Sequence, residues 1–157
     1  MLWDANKNTL FFQQRVIPIP VVTTKREILN HTSRIFDPLG LLSPLTVRAK
    51  ALLQQIWQEG HAWDTPLPAQ ADITRRWQKL VRDINSVLQV SFDRHFFKNS
   101  TTDPSLHIFV DASKVAYGAA AYLCNDQQST LVMAKTRVAP IKAVYLEVVT
   151  NLSTETF

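Results

Sequence analysis

An aspartate at the end of an apolar run is the residue in this sequence best suited to chemistry. Residues 106–110 are Leu, His, Ile, Phe and Val, and Asp111 follows them directly. An acidic residue in that position ends a predicted β-strand, where its carboxylate can bind a divalent cation. Two-metal hydrolysis of a phosphodiester requires several such carboxylates, because the ions lie about 4 Å apart and share oxygen ligands. The sequence therefore predicts one metal ligand at Asp111, and catalysis depends on whether others accompany it.

The other acidic residues do not complete that site. Glu147 is the one further candidate metal ligand, but it lies in a run that alternates like a strand, which argues against the role. Asp126 falls in a predicted turn, and Asp93 and Asp103 fall in a polar connector. A single carboxylate does not hold two metal ions, so we expect no cofactor and no catalysis. Mg²⁺ or Mn²⁺ would bind only if another chain supplied the missing ligands.

Composition excludes several other kinds of site. The three glycines, at positions 40, 60 and 118, are too scattered for a glycine-rich phosphate loop. The four histidines lack the spacing of metal ligands, and the one cysteine, Cys124, excludes an internal disulfide and a cysteine-rich zinc site. The formal net charge of +4 is mildly basic and is compatible with attraction to phosphate.

Three basic residues form the second candidate site, a surface for nucleic acid. Arg75, Lys79 and Arg82 recur at helical spacing and share one side of a predicted helix, away from its apolar stripe. Such a face can contact a phosphate backbone, and each contact weakens as the salt concentration rises. An ordinary solvated helix face has the same pattern, so the sequence leaves both interpretations open.

The elements around these residues predict an α+β fold. Residues 1–22 are predicted to form a β-hairpin and an extended segment, and residues 23–92 a helical part. A capping box at Thr24 begins the first helix, and Ser43 is predicted to cap the second helix, which ends at Gly60. The inward-facing positions of the second and third helices are predicted to be Leu45, Ala49, Leu52, Leu53, Ile56, Trp57, Ile73, Trp77, Leu80, Val81, Ile84 and Leu88.

An incomplete sheet of three to four strands is predicted after the helices. Residues 93–105 form a polar connector, and three strands follow at roughly 106–111, 116–123 and 130–136, joined by tight turns. A further strand-like run covers residues 143–150. So small a sheet is predicted to leave apolar area uncovered. The side chains predicted to form that uncovered surface are Ile108, Val110, Tyr122 and Leu131.

No segment of the sequence predicts export or membrane insertion. The first residues lack the basic and apolar regions of a signal peptide, and no apolar run approaches the roughly 20 residues that span a bilayer. We therefore expect an intracellular protein, cytoplasmic or nuclear, without a membrane partner.

Several segments carry a resemblance to one family. They are Thr-Lys-Arg at 24–26, Arg-Ile-Phe-Asp-Pro-Leu-Gly-Leu-Leu-Ser-Pro at 34–44, Arg-Ala-Lys at 48–50, Trp-Asp-Thr-Pro-Leu-Pro at 63–68, Asp-Ala-Ser at 111–113, Ala-Tyr-Gly-Ala at 116–119 and Arg-Val-Ala-Pro-Ile-Lys at 137–142. In order and spacing they are similar to the polyproteins of Bel/Pao-type LTR retrotransposons, the Pao family. The resemblance implies a region that follows a reverse-transcriptase palm, passes through thumb-like and connecting helices and enters a ribonuclease H-like domain.

This resemblance also implies a division of the chain. Residues 1–22 correspond to the end of the palm, residues 23–92 to thumb and connection, and residues 106–142 to the first half of the ribonuclease H-like domain. Asp111 corresponds to the first metal-binding carboxylate of that domain. The resemblance further implies that the region before residue 100 once helped to hold a primer–template.

The pattern departs from the family after Lys142. The family continues with a Pro-Arg-Leu-Glu element, whose glutamate is the second metal ligand, whereas Glu147 lies three residues too early to be that glutamate. Residues 143–157 instead resemble a short segment of the integrase core of the same polyprotein. The resemblance implies a deletion joint between Lys142 and Ala143.

Three functions follow from these observations. We expect a truncated, rearranged fragment of a reverse transcriptase and ribonuclease H that lacks catalysis and binds RNA–DNA hybrid or other nucleic acid at most weakly. The alternative is a metal-dependent ribonuclease H-type nuclease in which Asp111 and Glu147 join carboxylates of a partner chain. A third function is an interaction module that binds a related, intact retrotransposon polyprotein through an unpaired sheet edge.

Overall fold

The structure, a computed structural model, describes residues 1–13, 16–97 and 103–140, and it confirms the predicted α+β class. Its elements are β1 (Leu2–Asp4), β2 (Thr9–Phe11), α1 (Lys25–Ser33), α2 (Ser43–Gln58), α3 (Asp72–Val87), β3 (Ser91–Asp93), β4 (Ser105–Ala112), β5 (Ala116–Cys124) and β6 (Ser129–Val138). The strands form two antiparallel sheets, with the orders β1-β2-β3 and β4-β5-β6.

The predicted N-terminal hairpin is confirmed, and a third strand joins it. β1 and β2 pair with Asp4 opposite Thr9, and the Asp4 carboxylate accepts hydrogen bonds from the amides of Asn6 and Lys7 in the turn. β3 pairs with β2 and completes the sheet. The sequence did not predict β3, because three residues are too few to show the alternation of a strand.

Two predicted helix signals are confirmed. At the start of α1, the Thr24 hydroxyl accepts the amide of Glu27 at 3.2 Å, and the Glu27 carboxylate accepts the amide of Thr24 at 3.0 Å. This is the capping box that the sequence predicts. After α2, Gly60 has a φ of +73°, and the amides of Gly60 and His61 donate to carbonyls of the last helical turn.

The start of α2 differs from its prediction. Ser43 is the first helical residue and not the cap, and Leu42 occupies the cap position without a side-chain hydrogen bond. The Asp37 carboxylate accepts the amides of Leu41 and Leu42 instead, at 3.0 and 2.7 Å. An aspartate six residues before a helix lies outside the spacing that predicts a cap, so only the folded loop reveals its role.

The hydrophobic core lies among the helices, as their apolar stripes predict. Trp77 is fully buried on α3, but the prediction of an inward-facing Trp57 is wrong, because its side chain is 52% exposed. Residue 57 lies about 100° around α2 from the centre of the buried stripe, so it falls at the boundary of the core. The buried apolar residues are Phe12, Ile17, Ile28, Leu42, Ala49, Leu52, Leu53, Ile56, Leu67, Ile73, Trp77, Leu80, Val81, Ile84 and Leu88.

The C-terminal sheet confirms the three predicted strands, each extended by one or two residues at an end. Its turns are folded by side-chain oxygens that each accept two backbone amides, those of Ser113 in the first turn and Asn125 in the second. Asp126 lies in the second turn, as predicted. No residue of these three strands is fully buried.

The two faces of this sheet have different surroundings. Ile108 is 64% and Val110 is 77% exposed, which confirms the predicted uncovered surface at these two positions. The prediction is wrong for Tyr122 and Leu131, which pair with each other and are half-buried. Tyr122 follows the partner of Ile108 by one residue, and side chains alternate between faces, so it points to the opposite side.

The loop before α2 attaches the sheet to the helical part. The Ala134 amide of β6 donates a hydrogen bond to the Leu39 carbonyl at 2.8 Å. The Leu39 carbonyl thus accepts this bond in the way that a residue of a neighbouring strand would. Gly40 follows with a φ of +75° and lies against the same part of β6. A second connection comes from α2, where the Gln54 side-chain amide donates to the Ala139 carbonyl at 2.6 Å.

Two predictions lie outside the described residues. These are the metal-ligand candidate Glu147 and the integrase-like segment 143–157, which includes the strand-like run 143–150. Within the described part of the chain, no helix combines the length and the apolarity that a membrane crossing requires.

Candidate functional site

Asp111 lies next to the end of β4, on the face of the sheet that is turned toward the start of α2. It is paired with Gly118 of β5, and Gly118 is paired on its other side with Thr136 of β6. A Cβ at position 118 would lie 2.9 Å from Cγ2 of Thr136, so a glycine suits the close approach of these strands. The Asp111 side chain is exposed. Its direct cross-strand neighbour is Gly118, which has no side chain, and the next residue across the sheet is Thr136, which carries a hydroxyl.

A groove of about 570 Å³ runs along this face between the sheet and the start of α2. Phe109 and Tyr122 meet edge to face in it, with ring centroids 5.8 Å apart. Most of its walls are apolar, which suits an apolar side chain better than a phosphate. Residues that line the groove include Leu41, Pro44, Val47, Phe109, Asp111, Ala120, Tyr122, Leu131 and Ala134.

The other described acids of this region do not converge on Asp111. Asp103 precedes β4 and Asp126 lies in the turn between β5 and β6, so both are at the opposite end of the sheet. The eight residues of β4 span roughly 25 Å. Asp93 belongs to β3, in the N-terminal sheet.

The ligands at Asp111 therefore do not fit a pair of divalent ions. Across the described ranges, no group of three or more His, Cys, Asp or Glu side chains is arranged to hold a metal ion. At this end of the sheet the described residues offer Asp111 and, beside β6, Asp37, whose carboxylate already accepts the amides of Leu41 and Leu42. Two-metal hydrolysis requires several carboxylates around the ions.

The structure places the three predicted basic residues together on the outer face of α3. Arg75, Lys79 and Arg82 are all exposed, on the side away from the buried Trp77 and Ile84. Their separations of four and three residues keep them within about 60° of one another around the helix. The three predicted cations are therefore exposed on one face of α3.

Neighbouring cations on the helical part are engaged in ion pairs. Arg76 lies 3.6 Å from Asp72 and donates to Gln55 at 2.8 Å, and Arg48 lies 3.0 Å from Asp83. None of the ion pairs found among the described residues involves Arg75, Lys79 or Arg82. These three side chains keep their donors available for a ligand.

Lys25, Trp57 and Trp63 form a cation–aromatic cluster near the end of α2, which the sequence did not predict. The ammonium of Lys25 lies 3.4 Å from the ring centroid of Trp57 and 4.8 Å from that of Trp63, and it donates to the His61 carbonyl at 3.1 Å. Lys25 itself is buried. The two rings, which could otherwise stack on bases, are therefore in contact with a side chain of the same chain.

An ion pair closes this cluster on its outer side. The Arg26 guanidinium donates two hydrogen bonds to the Asp64 carboxylate. Nε of Arg26 lies 2.6 Å from Oδ1 of Asp64, and a terminal guanidinium nitrogen lies 3.0 Å from Oδ2. The hydrogen bond from Arg26 lowers the pKa of Asp64, and the same bond raises the pKa of Arg26. The cluster fastens the start of α1 to the segment after α2, so its cations serve the fold.

Comparison with known families decides the relationship of the chain. The family model described as Pao retrotransposon-like RNaseH-like domain matches residues 24–149. The chain belongs to this family. No curated protein and no solved structure gives a significant match.

The Pao family match includes both candidate surfaces. It begins at Thr24, the cap of α1, and continues through the three helices into the C-terminal sheet. The basic stripe of α3 and Asp111 therefore lie within one matched region. The match confirms the retrotransposon family and the ribonuclease H-like character that the sequence motifs predict.

Proposed function

We propose that this protein is a retrotransposon-derived ribonuclease H-like domain that binds nucleic-acid backbones without sequence preference and does not cleave them. The proposal depends on one observation: among the described residues, no group of three or more His, Cys, Asp or Glu side chains is arranged to hold a metal ion. Asp103 and Asp126 lie roughly 25 Å away along the strands, whereas hydrolysis requires ligands around ions about 4 Å apart. Within residues 1–13, 16–97 and 103–140, Asp111 is thus the one carboxylate that matches the metal site of the family.

The basic stripe of α3 supports the binding part of the proposal. One exposed face of α3 carries three cations without an ion-pair partner, Arg75, Lys79 and Arg82. Such cations contact phosphate groups, which are the same for every sequence, so they give binding without base specificity. Three such contacts give modest affinity with a strong dependence on salt. RNA–DNA hybrid is the ligand that the family suggests, and single- and double-stranded forms are expected to compete with it.

We also propose a rearranged origin for the chain. In this proposal the helices of residues 23–92 derive from thumb and connection, and residues 143–157 derive from the integrase core across a joint at Lys142. The family match continues to residue 149, so it overlaps the first seven residues of the segment assigned to the integrase. The order of the motifs at 34–44, 111–113 and 137–142 supports the first part.

The catalytic part is tested by incubating the full chain with an RNA–DNA hybrid in Mg²⁺ and in Mn²⁺. We expect no cleavage above background from the wild type or from the Asp111→Asn variant. Cleavage by the wild type that disappears in Asp111→Asn would contradict the proposal. That result would support the metal-dependent nuclease instead, with the missing carboxylates supplied by a second chain.

The binding part is tested by measuring hybrid affinity as a function of salt. Replacing Arg75, Lys79 and Arg82 with alanine should weaken binding at low salt and reduce the slope of log K against log[salt] by roughly 2 to 3. The reason is that each lost contact releases about one counterion fewer.

A matched control removes the same charge from other exposed elements. Lys7 lies in the first hairpin turn, Arg34 follows α1 and Lys114 lies in the turn after β4. The triple alanine variant at these positions should keep most of the affinity and the slope. Equal losses in the two triple variants would show that net charge, and not the α3 stripe, determines binding.

A further inference from the structure

A small polar hollow lies where β6 meets α2 and the loop before α2. The residues that line it include Asp37, Lys50, Lys135, Thr136 and Arg137, and its volume is about 240 Å³. This volume is below the range of pockets that hold drug-sized ligands. The hollow therefore suits a small chemical group.

Three cations from two elements line this hollow. Lys135 and Arg137 lie on the same face of β6, because side chains two residues apart share a face, and Lys50 lies on α2. All three side chains are exposed, and none of the ion pairs found in the described ranges includes them. Two elements that are distant in the chain thus bring three positive charges to one place.

One acid, Asp37, also lines the hollow, but both of its carboxylate oxygens already accept hydrogen bonds. Oδ1 accepts the amide of Leu41, and Oδ2 accepts the amide of Leu42. The charged side chains that line the hollow are therefore three cations and one acid that is bonded within its own loop. This excess of positive charge favours an anion as the ligand.

The backbone of β6 adds a hydrogen-bond donor to the hollow. The Ala134 amide points away from β5, since it donates to the Leu39 carbonyl. Backbone groups two residues apart in a strand point to the same side, so the Thr136 amide also points away from β5, toward the hollow that Thr136 lines. A backbone amide beside cationic side chains is a typical donor set for phosphate oxygens.

We propose that this hollow binds a phosphate monoester, either at the end of a nucleic-acid strand or on a free nucleotide. A monoester carries a charge of about −1.5 to −2 at pH 7 and three terminal oxygens, so it can contact cations of α2 and β6 at the same time. A phosphodiester carries a single charge and continues into the strand on both sides. It therefore suits an exposed helix face, such as the basic stripe of α3, better than a hollow.

The hollow and the basic stripe lie on different sides of the helical part. Arg48 pairs with Asp83 of α3 and therefore lies on the side of α2 that faces α3. Lys50 follows Arg48 by two residues, which places it about 160° away around the helix. The binding of a monoester therefore does not depend on the backbone binding proposed for α3.

The test compares two versions of one labelled single-stranded oligonucleotide, with a 5′-phosphate and with a 5′-hydroxyl, at equal salt concentration. Fluorescence anisotropy with the full chain measures both affinities. We expect the phosphorylated version to bind at least about fivefold more tightly. Lys50→Gln alone, and Lys135→Gln with Arg137→Gln, should each remove most of this advantage, whereas Lys50→Arg should keep it. Equal affinity of the wild type for the two versions overturns the proposal.

Matched variants remove the same charge elsewhere. Lys7→Gln with Lys114→Gln changes two exposed lysines in turns and should keep the advantage of the phosphorylated version. Loss of the advantage in this variant would make net charge its cause and overturn the proposal, as would an advantage that survives in the variants of the hollow. Glutamine at the three positions of the α3 stripe should weaken both versions by the same factor. If it changes neither affinity, that result contradicts the function proposed for α3 and not the monoester site.

Competition identifies the source of the monoester. Displacement of the phosphorylated oligonucleotide by adenosine 5′-monophosphate, and not by adenosine, supports the binding of free nucleotides as well as strand ends. An advantage of the phosphorylated version without such displacement supports strand ends alone. Displacement by adenosine as strong as by its monophosphate would show recognition of the nucleoside, and it would overturn the proposal.

Discussion

Gly40 combines two demands on one residue. Its φ of +75° lies in the left-handed region that favours glycine, and a Cβ at this position would overlap the backbone carbonyl oxygen of Ala134 in β6. Gly60 has a similar φ of +73°, but nothing lies near the place that its Cβ would occupy. A side chain at position 60 would therefore cause backbone strain alone, whereas a side chain at position 40 would cause the same strain and also overlap with β6.

Gly60→Ala and Gly40→Ala should differ in their cost to stability. We expect Gly60→Ala to lower the free energy of unfolding by about 1 kcal/mol, which is the conformational penalty alone. Gly40→Ala should cost at least about 3 kcal/mol, because β6 must also move away from the loop. Urea unfolding of both variants measures the difference. Equal losses would mean that the contact between this loop and β6 does not stabilise the protein.

The individual site residues differ in how far the sequence predicts them. Asp111 and the three cations of α3 follow from local spacing, and the structure places each where the pattern indicates. Lys25 does not follow from local spacing, because its burial depends on Trp57 and Trp63, which lie more than thirty residues away in the chain. The incorrect prediction of a buried Trp57 also arises from contacts distant in sequence. Hydrophobic periodicity predicts which side of α2 Trp57 lies on, but it does not predict which other segments pack against the last turn of the helix.

The start of α2 raises the question of which side chain stabilises it. Sequence position favours Ser43, but the structure gives the role to Asp37, which accepts the amides of Leu41 and Leu42. A carboxylate at this end of the helix also interacts favourably with the helix dipole. The loop of Asp37 continues into Gly40, so the same segment starts the helix and contacts the sheet.

Asp37→Ala should therefore destabilise the protein more than Ser43→Ala. The loss of two hydrogen bonds to a charged acceptor is expected to cost about 2 kcal/mol, whereas Ser43→Ala should cost less than about 1 kcal/mol. Thermal unfolding of the two variants, followed by circular dichroism, measures both effects. A larger loss for Ser43→Ala would return the capping role to the serine.

The strands show how prediction depends on length and partner. The three strands of the C-terminal sheet were predicted because each has eight or more residues and its turn residues mark both ends. β3 was not, since its three residues pair with β2, about eighty positions earlier. Only two of the four side chains predicted on the uncovered face of the sheet lie there. Whether Tyr122 shares a face with Ile108 depends on the register between β4 and β5, which the sequence of one strand does not determine.

The distribution of burial divides the whole molecule into a stable and a less stable part. Every residue of the buried core lies between positions 12 and 88, and none lies in β4, β5 or β6. The described hydrogen bonds between the helical part and the sheet include the one that the Leu39 carbonyl accepts and the one that the Gln54 side chain donates. Because burial of apolar area dominates stability, the sheet should open more easily than the helices.

Native-state hydrogen exchange tests this division of the molecule. Amides of α3 should exchange only through global unfolding, and amides of β5 should exchange at least about tenfold faster through opening of the sheet alone. Gln54→Ala removes one connection to Ala139 and should accelerate exchange in the sheet without changing α3. Equal protection in both parts would mean one cooperative unit, in which the helical core stabilises the sheet through the loop at Gly40. A difference would mean that the C-terminal sheet is a separate and less stable cooperative unit.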